Sequence, residues 1–189
     1  MEQLLTKNPN KTKSMRALGA VDISAVRAAI LSIPEAVWQL ENEAKPNKFR
    51  EFHSTTHIVF KFVESFKDYT KYYEKPIWEK WKARLQPLLD QAVVPYGYTE
   101  GHFSRVMLAR LDAGGHINAH RDGKLSAVFP HKIHIPIQTN PKCTFFVNPK
   151  TYQFEEGFAY EVNNQAVHYV ENLGDSPRIH LIFEYWGKP

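Results

Sequence analysis

From Phe103 onward the chain is a series of short β-branched or alternating segments set between turn residues, and few folds accept that pattern. The segments are FSRVMLARL (103–111), KIHIPIQ (132–138), CTFFVN (143–148), YQFEE (152–156), FAYEV (158–162), AVHYVEN (166–172) and RIHLIFEYW (178–186). Between them stand Ala113-Gly114-Gly115, Asn140-Pro141, Asn148-Pro149, Asn163-Asn164 and Gly174-Asp175. Many short strands at this spacing predict an antiparallel sandwich or barrel of the jelly-roll kind.

The first hundred residues read as mixed, with more helix than strand. Asp22 is placed to cap a helix through about Leu31, and Ser32-Ile33-Pro34-Glu35 has capping-box spacing. HSTTHIVFKF (53–62) reads as a strand. A helix is expected from near Pro76, with Trp78, Trp81, Leu85, Leu88 and Ala92 on one apolar face and Pro87 as a kink or break. At 189 residues the chain is expected to be one domain. Residues 1–99 form a helix-rich support and 100–189 the jelly-roll core. The class is mainly β with flanking helices.

Charge excludes little. The formal net charge is +4, and it lies wholly before residue 100, partly in the tail through Arg16. That tail, with Lys7, Lys11 and Lys13, reads as a solvated arm, so no nucleic-acid partner is expected. A single cysteine excludes a disulfide scaffold and fits a reducing compartment. No apolar stretch approaches the roughly 20 residues that span a membrane. A soluble cytoplasmic protein is expected; oligomeric state is not legible. The informative asymmetry is histidine: seven of nine lie after residue 100.

In an extended segment residues i and i+2 project to the same side, so His120 and Asp122 share a face and Arg121 does not. With His168 from a later strand they make two histidines and a carboxylate, the ligand set of non-haem Fe(II) oxygenases, which leaves positions open for a chelating cosubstrate and O₂. Arg178 follows at the start of the next segment. A hairpin through Gly174-Asp175 would set it beside the His168 strand, where a guanidinium can grip the far carboxylate of 2-oxoglutarate. The bland alternative makes His168 a core histidine and Arg178 a surface ion pair.

The text LARLDAGGHINAHRD, HKIHIPIQTN and VNNQAVHYVENLGDSPRIHLIFEYW resembles the aspartyl/asparaginyl β-hydroxylase family of Fe(II)/2-oxoglutarate-dependent dioxygenases, which includes proline-hydroxylase-like enzymes. The resemblance covers about 105–186. It implies a double-stranded β-helix (jelly-roll, cupin-like) core, iron held by His120, Asp122 and His168, and Arg178 on the cosubstrate carboxylate. It also implies a cosubstrate contact from His134. The mammalian branch has glycine where Asp122 stands, so this chain looks more like the small bacterial or phage members.

The expected activity is hydroxylation of an unactivated C–H of an amino acid, free or within a polypeptide. Succinate and CO₂ would be released, and ascorbate would support turnover. Arg110 points either into the barrel, to recognise a substrate carboxylate, or to Asp112 on the surface. Asn172 either reaches the site or caps a turn. His180 is site wall or core, His116 a loop residue, and His53 and His57 strand surface or pocket rim. The competing readings are a cupin-like metalloenzyme that does not use 2-oxoglutarate and a β-sandwich binding module whose basic arm meets an acidic partner. A kinase reading of His120-Arg121-Asp122 fails, because Ala127 stands where that loop needs asparagine. No nucleophile elbow supports a hydrolase.

Overall fold

The computed structural model describes residues 8–188. Eleven strands form two antiparallel sheets. They are β1 (Met15–Ala20), β2 (Thr55–Ser65), β3 (Asp68–Glu74), β4 (Glu100–Leu111), β5 (His116–His120), β6 (His131–Gln138), β7 (Cys143–Val147), β8 (Lys150–Tyr152), β9 (Phe158–Val162), β10 (His168–Asn172) and β11 (Arg178–Lys188). The larger sheet runs β1-β9-β6-β11-β4-β2-β3 and the smaller β5-β10-β7-β8. Helices are α1 (Ser24–Leu31), α2 (Glu35–Glu43) and α3 (Ile77–Val93). The fold is the expected jelly roll with flanking helices.

The larger sheet is buried on both faces. Its outer face carries Ile58, Val106, Leu108, Ile133, Ile135, Leu181 and Phe183, which pack with Ile30, Trp38, Trp78 and Leu89 of the helices. Period-two alternation therefore sends Arg178, His180, Ile182 and Glu184 of β11 to the other face, toward the smaller sheet. Met107 on β4 and His134 on β6 do likewise. A buried sheet face that carries this many polar groups is costly, and that cost marks where function sits.

Several local expectations are corrected. The N-cap position of α1 is Ile23, not Asp22, and has no side-chain cap; Asp22 Oδ1 accepts from the Ser24 amide at 2.9 Å from one residue before it. No capping box forms at Ser32, whose hydroxyl donates back to the Ala29 carbonyl. Pro87 does not end α3, because burial of Leu88, Leu89 and Ala92 beyond it offsets the ~3 kcal/mol cost of an interior proline. The segment at 152–156 is strand only through Tyr152.

The expected solvated arm is anchored where it is described; Lys7 and the rest of 1–7 lie outside the described residues. Asn8 is buried against His131, the Lys11 ammonium donates to the Ala127 and Val128 carbonyls, and Arg16 pairs with the buried Glu161 at 2.6 Å. β1 then adds to β9. β10 and β11 are not a hairpin. β10 pairs with β5 and β7, whereas β11 lies between β4 and β6 in the other sheet. Arg178 therefore approaches the site across the sandwich, not from a neighbouring strand. Among the described residues no helix is long and apolar enough to cross a membrane.

Candidate metal centre and its pocket

β5 ends on His120, which stands opposite His168 of β10. Asp122 follows two residues on, its amide donating to the Asn164 carbonyl at 2.9 Å. The ligand atoms of His120, Asp122 and His168 converge within 4.8 Å of one another. Asp122 Oδ1 is 3.6 Å from His120 Nε2 and 4.0 Å from His168 Nε2.

Each group is aimed by its surroundings. His120 Nδ1 lies 2.7 Å from the Asn118 carbonyl and His168 Nδ1 lies 3.0 Å from the Ala166 carbonyl. A carbonyl only accepts, so both Nδ1 atoms carry the proton and both Nε2 lone pairs face inward. Asp122 is divided in the same way. Its Oδ2 accepts from Lys132 Nζ at 2.6 Å and Asn164 Nδ2 at 3.0 Å, which leaves Oδ1 to the other donors. Burial alone would raise the Asp122 carboxyl, but Lys132 and the two imidazoles hold it well below the usual carboxylate range. Burial lowers the His168 pKa to about 4 despite Asp122, so the ring is neutral at pH 7. Two inward-facing imidazole nitrogens and one carboxylate suit a divalent transition metal.

A cavity of about 280 Å³ opens from this triad, lined also by Lys132, His134 and Arg178. Arg178 is 1% exposed. Among the described residues it has no acidic partner, and its Nε and Nη1 atoms have no hydrogen-bond partner. Desolvation lowers the guanidinium to about 10. His134 and His180 meet through their Nδ1 atoms at 3.3 Å, and the Nε2 of each is buried without a partner. Burial holds both rings well below their usual pKa and hence neutral. The two orphaned Arg178 donors and the His134 ring open on the cavity beside a metal-type triad, and the guanidinium leaves an unmet need for an anionic oxygen.

Two expected substrate residues lie elsewhere. Arg110 faces the helices: its guanidinium grips Glu35 at 2.6 and 2.8 Å, reaches Asp112 at 3.2 Å and lies over the Trp38 ring. The strand has the opposite parity, so Arg105 is the β4 arginine that lines the cavity. Arg110→Ala is expected to cost about 1 kcal/mol of stability in a denaturant titration and to leave cosubstrate affinity unchanged. Asn172 takes the turn-capping role. Its Nδ2 donates to Asp112 and Ser176 carbonyls at 3.0 and 2.9 Å, and its Oδ1 accepts from Asn140 at 2.9 Å. Asn172→Ala should cost about 2–3 kcal/mol in the same titration, since it strands several buried partners.

Of the other histidines, His57 is buried on the cavity wall, while His53 and His116 are exposed and meet edge to face. His131 is bonded to Glu161, Tyr98 and Asn8. Sequence reasoning missed Lys132 and Asn164, which hold Asp122; Asn164 had registered only as a turn residue.

A family model described as aspartyl/asparaginyl beta-hydroxylase matches residues 79–188. No curated protein sequence matches this chain. Among solved structures it is similar to an oxidoreductase of the 2OG-Fe(II) oxygenase family from Burkholderia pseudomallei, with a TM-score of 0.55 and 15% identity over 79% of this chain and 76% of that one. It is similar to a prolyl hydroxylase from Trichoplax adhaerens in complex with a hypoxia inducible factor peptide fragment, with a TM-score of 0.56 and 10% identity over 93% and 84%. HygX from Streptomyces hygroscopicus, with nickel, 2-oxoglutarate and hygromycin B bound, aligns with a TM-score of 0.52 and 12% identity over 93% and 84%. At these identities the likeness is one of fold.

Proposed function

The chain belongs to the aspartyl/asparaginyl β-hydroxylase family, and on that premise we propose that it is an Fe(II)- and 2-oxoglutarate-dependent dioxygenase. It hydroxylates an unactivated C–H bond of an amino acid, free or within a polypeptide. His120, Asp122 and His168 hold the iron, Arg178 binds the far carboxylate of 2-oxoglutarate, and His134 contacts the same molecule. When bound, iron with 2-oxoglutarate and O₂ supplies the oxidising power that turns C–H into C–OH, with succinate and CO₂ released.

The observation that carries this reading is Arg178: a buried guanidinium with unpartnered donors in the same cavity as three converging metal-type donors. A cupin-like metalloenzyme without 2-oxoglutarate would leave that charge without a task. The protein's own part is to aim ligands, orient the cosubstrate and keep water away. Carbonyls of Asn118 and Ala166 fix the imidazole tautomers, and Lys132 and Asn164 fix the carboxylate. The similar solved structures hold unlike molecules, a peptide fragment in one case and hygromycin B in another, so the substrate must be argued from this chain's own pocket.

The test is anaerobic titration of the Fe(II)-loaded protein with 2-oxoglutarate, followed through the absorbance of the iron–cosubstrate chelate. One equivalent should bind per chain, and admission of O₂ with ascorbate should then release succinate slowly without substrate. Failure of 2-oxoglutarate to bind would overturn the reading.

A further inference from the structure

The cavity holds a second pair of charges that neither metal nor cosubstrate uses. Arg105 of β4 and Glu184 of β11 stand opposite each other in register, and both are buried. Their side chains are joined from Arg105 Nη1 to Glu184 Oε2, and Arg105 is steadied by the Ser126 hydroxyl at 2.6 Å and by the face of Phe62. Glu184 Oε1 and Arg105 Nε make no hydrogen bond with the described residues. Glu184 in turn stands opposite Lys132 of β6, whose ammonium touches Asp122. From the metal centre outward the row is Asp122, Lys132, Glu184, Arg105. Neighbouring strands lie about 4.8 Å apart, so the ion pair is roughly one to two strand spacings, about 5–10 Å, from Lys132.

The walls around the pair are apolar. Phe49, Phe62, Phe66, Met107 and Ile182 line this end of the cavity. Lys124 lies over the Phe49 and Phe66 rings and also lines the cavity. A buried ion pair is seldom a gain over apolar residues of the same volume, so its retention on a pocket wall calls for a use. Asp122 is matched by Lys132 and the metal, and Arg178 by the cosubstrate. That leaves Arg105 and Glu184 as the buried cation and anion set side by side on the aromatic wall, with Glu51, Arg121 and Lys124 also lining the cavity.

A ligand that complements this has adjacent opposite charges and an otherwise apolar body. We infer that Arg105 and Glu184 read the α-carboxylate and α-ammonium of a free amino acid with an uncharged side chain, which then points toward the triad; this deepens the oxygenase reading and rests on it. The carboxylate accepts from the guanidinium, and the ammonium donates to Glu184. A residue within a polypeptide offers neutral amides at those points and would leave both charges further desolvated without return. A charged side chain would strand its own charge among the phenylalanines.

The test uses the Fe(II)-loaded protein with 2-oxoglutarate and the free L-amino acids with uncharged side chains, each beside its N-acetyl amide. Anaerobic binding is read from the shift in the chelate absorbance, and turnover from succinate release in air. At least one free amino acid should shift the absorbance and speed succinate release about tenfold or more, and its N-acetyl amide should not. Glu184→Gln should raise the half-saturating amino-acid concentration by about 30-fold or more, with 2-oxoglutarate binding unchanged. The apolar double variant Arg105→Met/Glu184→Leu should likewise keep the chelate absorbance and lose the response to amino acid. Three results overturn the inference while leaving the oxygenase reading intact: an N-acetyl amide that works as well as its free parent, no response to any free amino acid although 2-oxoglutarate binds, or an unchanged half-saturation in Glu184→Gln. The free-against-blocked comparison is made on the unaltered protein and stands whether or not the variants fold. Absence of 2-oxoglutarate binding in the unaltered protein would remove both.

Discussion

Replacing Arg178 with methionine should make the ligand-free protein more stable while it destroys 2-oxoglutarate binding. Arg178 is buried with no acidic partner among the described residues, and desolvation lowers its pKa from the ordinary arginine range to about 10. A shift of that size corresponds to a penalty on the order of 3 kcal/mol in the folded state. The sign follows from protons. The folded guanidinium holds its proton less tightly than the unfolded one, so the penalty is complete below about pH 10 and fades only as pH rises from there into the ordinary arginine range. At neutral pH it is in full force, and methionine, of similar length and no charge, removes it. Urea unfolding without ligand should therefore show Arg178→Met more stable by about 1 kcal/mol or more, after allowance for imperfect packing.

With 2-oxoglutarate and metal present the order should reverse. Loss of a buried charge-assisted contact costs about 2–5 kcal/mol of binding, so affinity should fall about 30-fold or more. A ligand at a hundred times its Kd stabilises the unaltered protein by about 2.7 kcal/mol, and the variant gains almost none of that. Two unfolding curves that cross on addition of cosubstrate are the expected signature. A variant less stable than the parent in both conditions would make Arg178 a structural residue.

The opposition of stability and use explains which parts of this site were legible. Strands β4, β6, β7, β9, β10 and β11 announced themselves because each is a β-branched, aromatic or alternating run bounded by turn residues. β5 did not, since HINAH is short and mostly polar, and it is held by pairing with β10 and by the packing of Ile117 and His120. β1 depends in the same way on β9. The turn at Gly174-Asp175 looked like a hairpin because local turn chemistry cannot tell a chain that pairs back from one that crosses to the facing sheet. Parity was the other limit. Alternation sorts Arg105 and Arg110 onto opposite faces of β4 but does not say which face is the inside. Had Arg178 been used to set the parity, Glu184 six residues on would have followed, and Arg105 opposite it is a tertiary fact. Lys132 and Asn164 carry no sequence signal of their task, because what they do is defined only by where Asp122 ends up.

His168→Ala should have the second large effect, and its comparison with Asn164→Ala separates holding the metal from aiming a ligand. His168 is a neutral imidazole, kept so by burial, with its Nδ1 proton committed to a backbone carbonyl. Removing it leaves only His120 and Asp122, which cannot close a facial set of three. Fe(II) affinity should fall about a hundredfold or more, and succinate release should drop to the metal-free background. Asn164→Ala keeps all three ligands and removes one of the two donors on Asp122 Oδ2, so the carboxylate remains charged and paired to Lys132 but is free to turn. Loss of such an outer partner weakens metal binding by about 10–100-fold, and added Fe(II) should restore succinate release in this variant. It should not do so at comparable concentrations in His168→Ala. Equal losses in both, with no recovery at high Fe(II), would mean that Asn164 supports the fold of the 121–128 loop through its bond to the Ala127 carbonyl and not the orientation of the carboxylate.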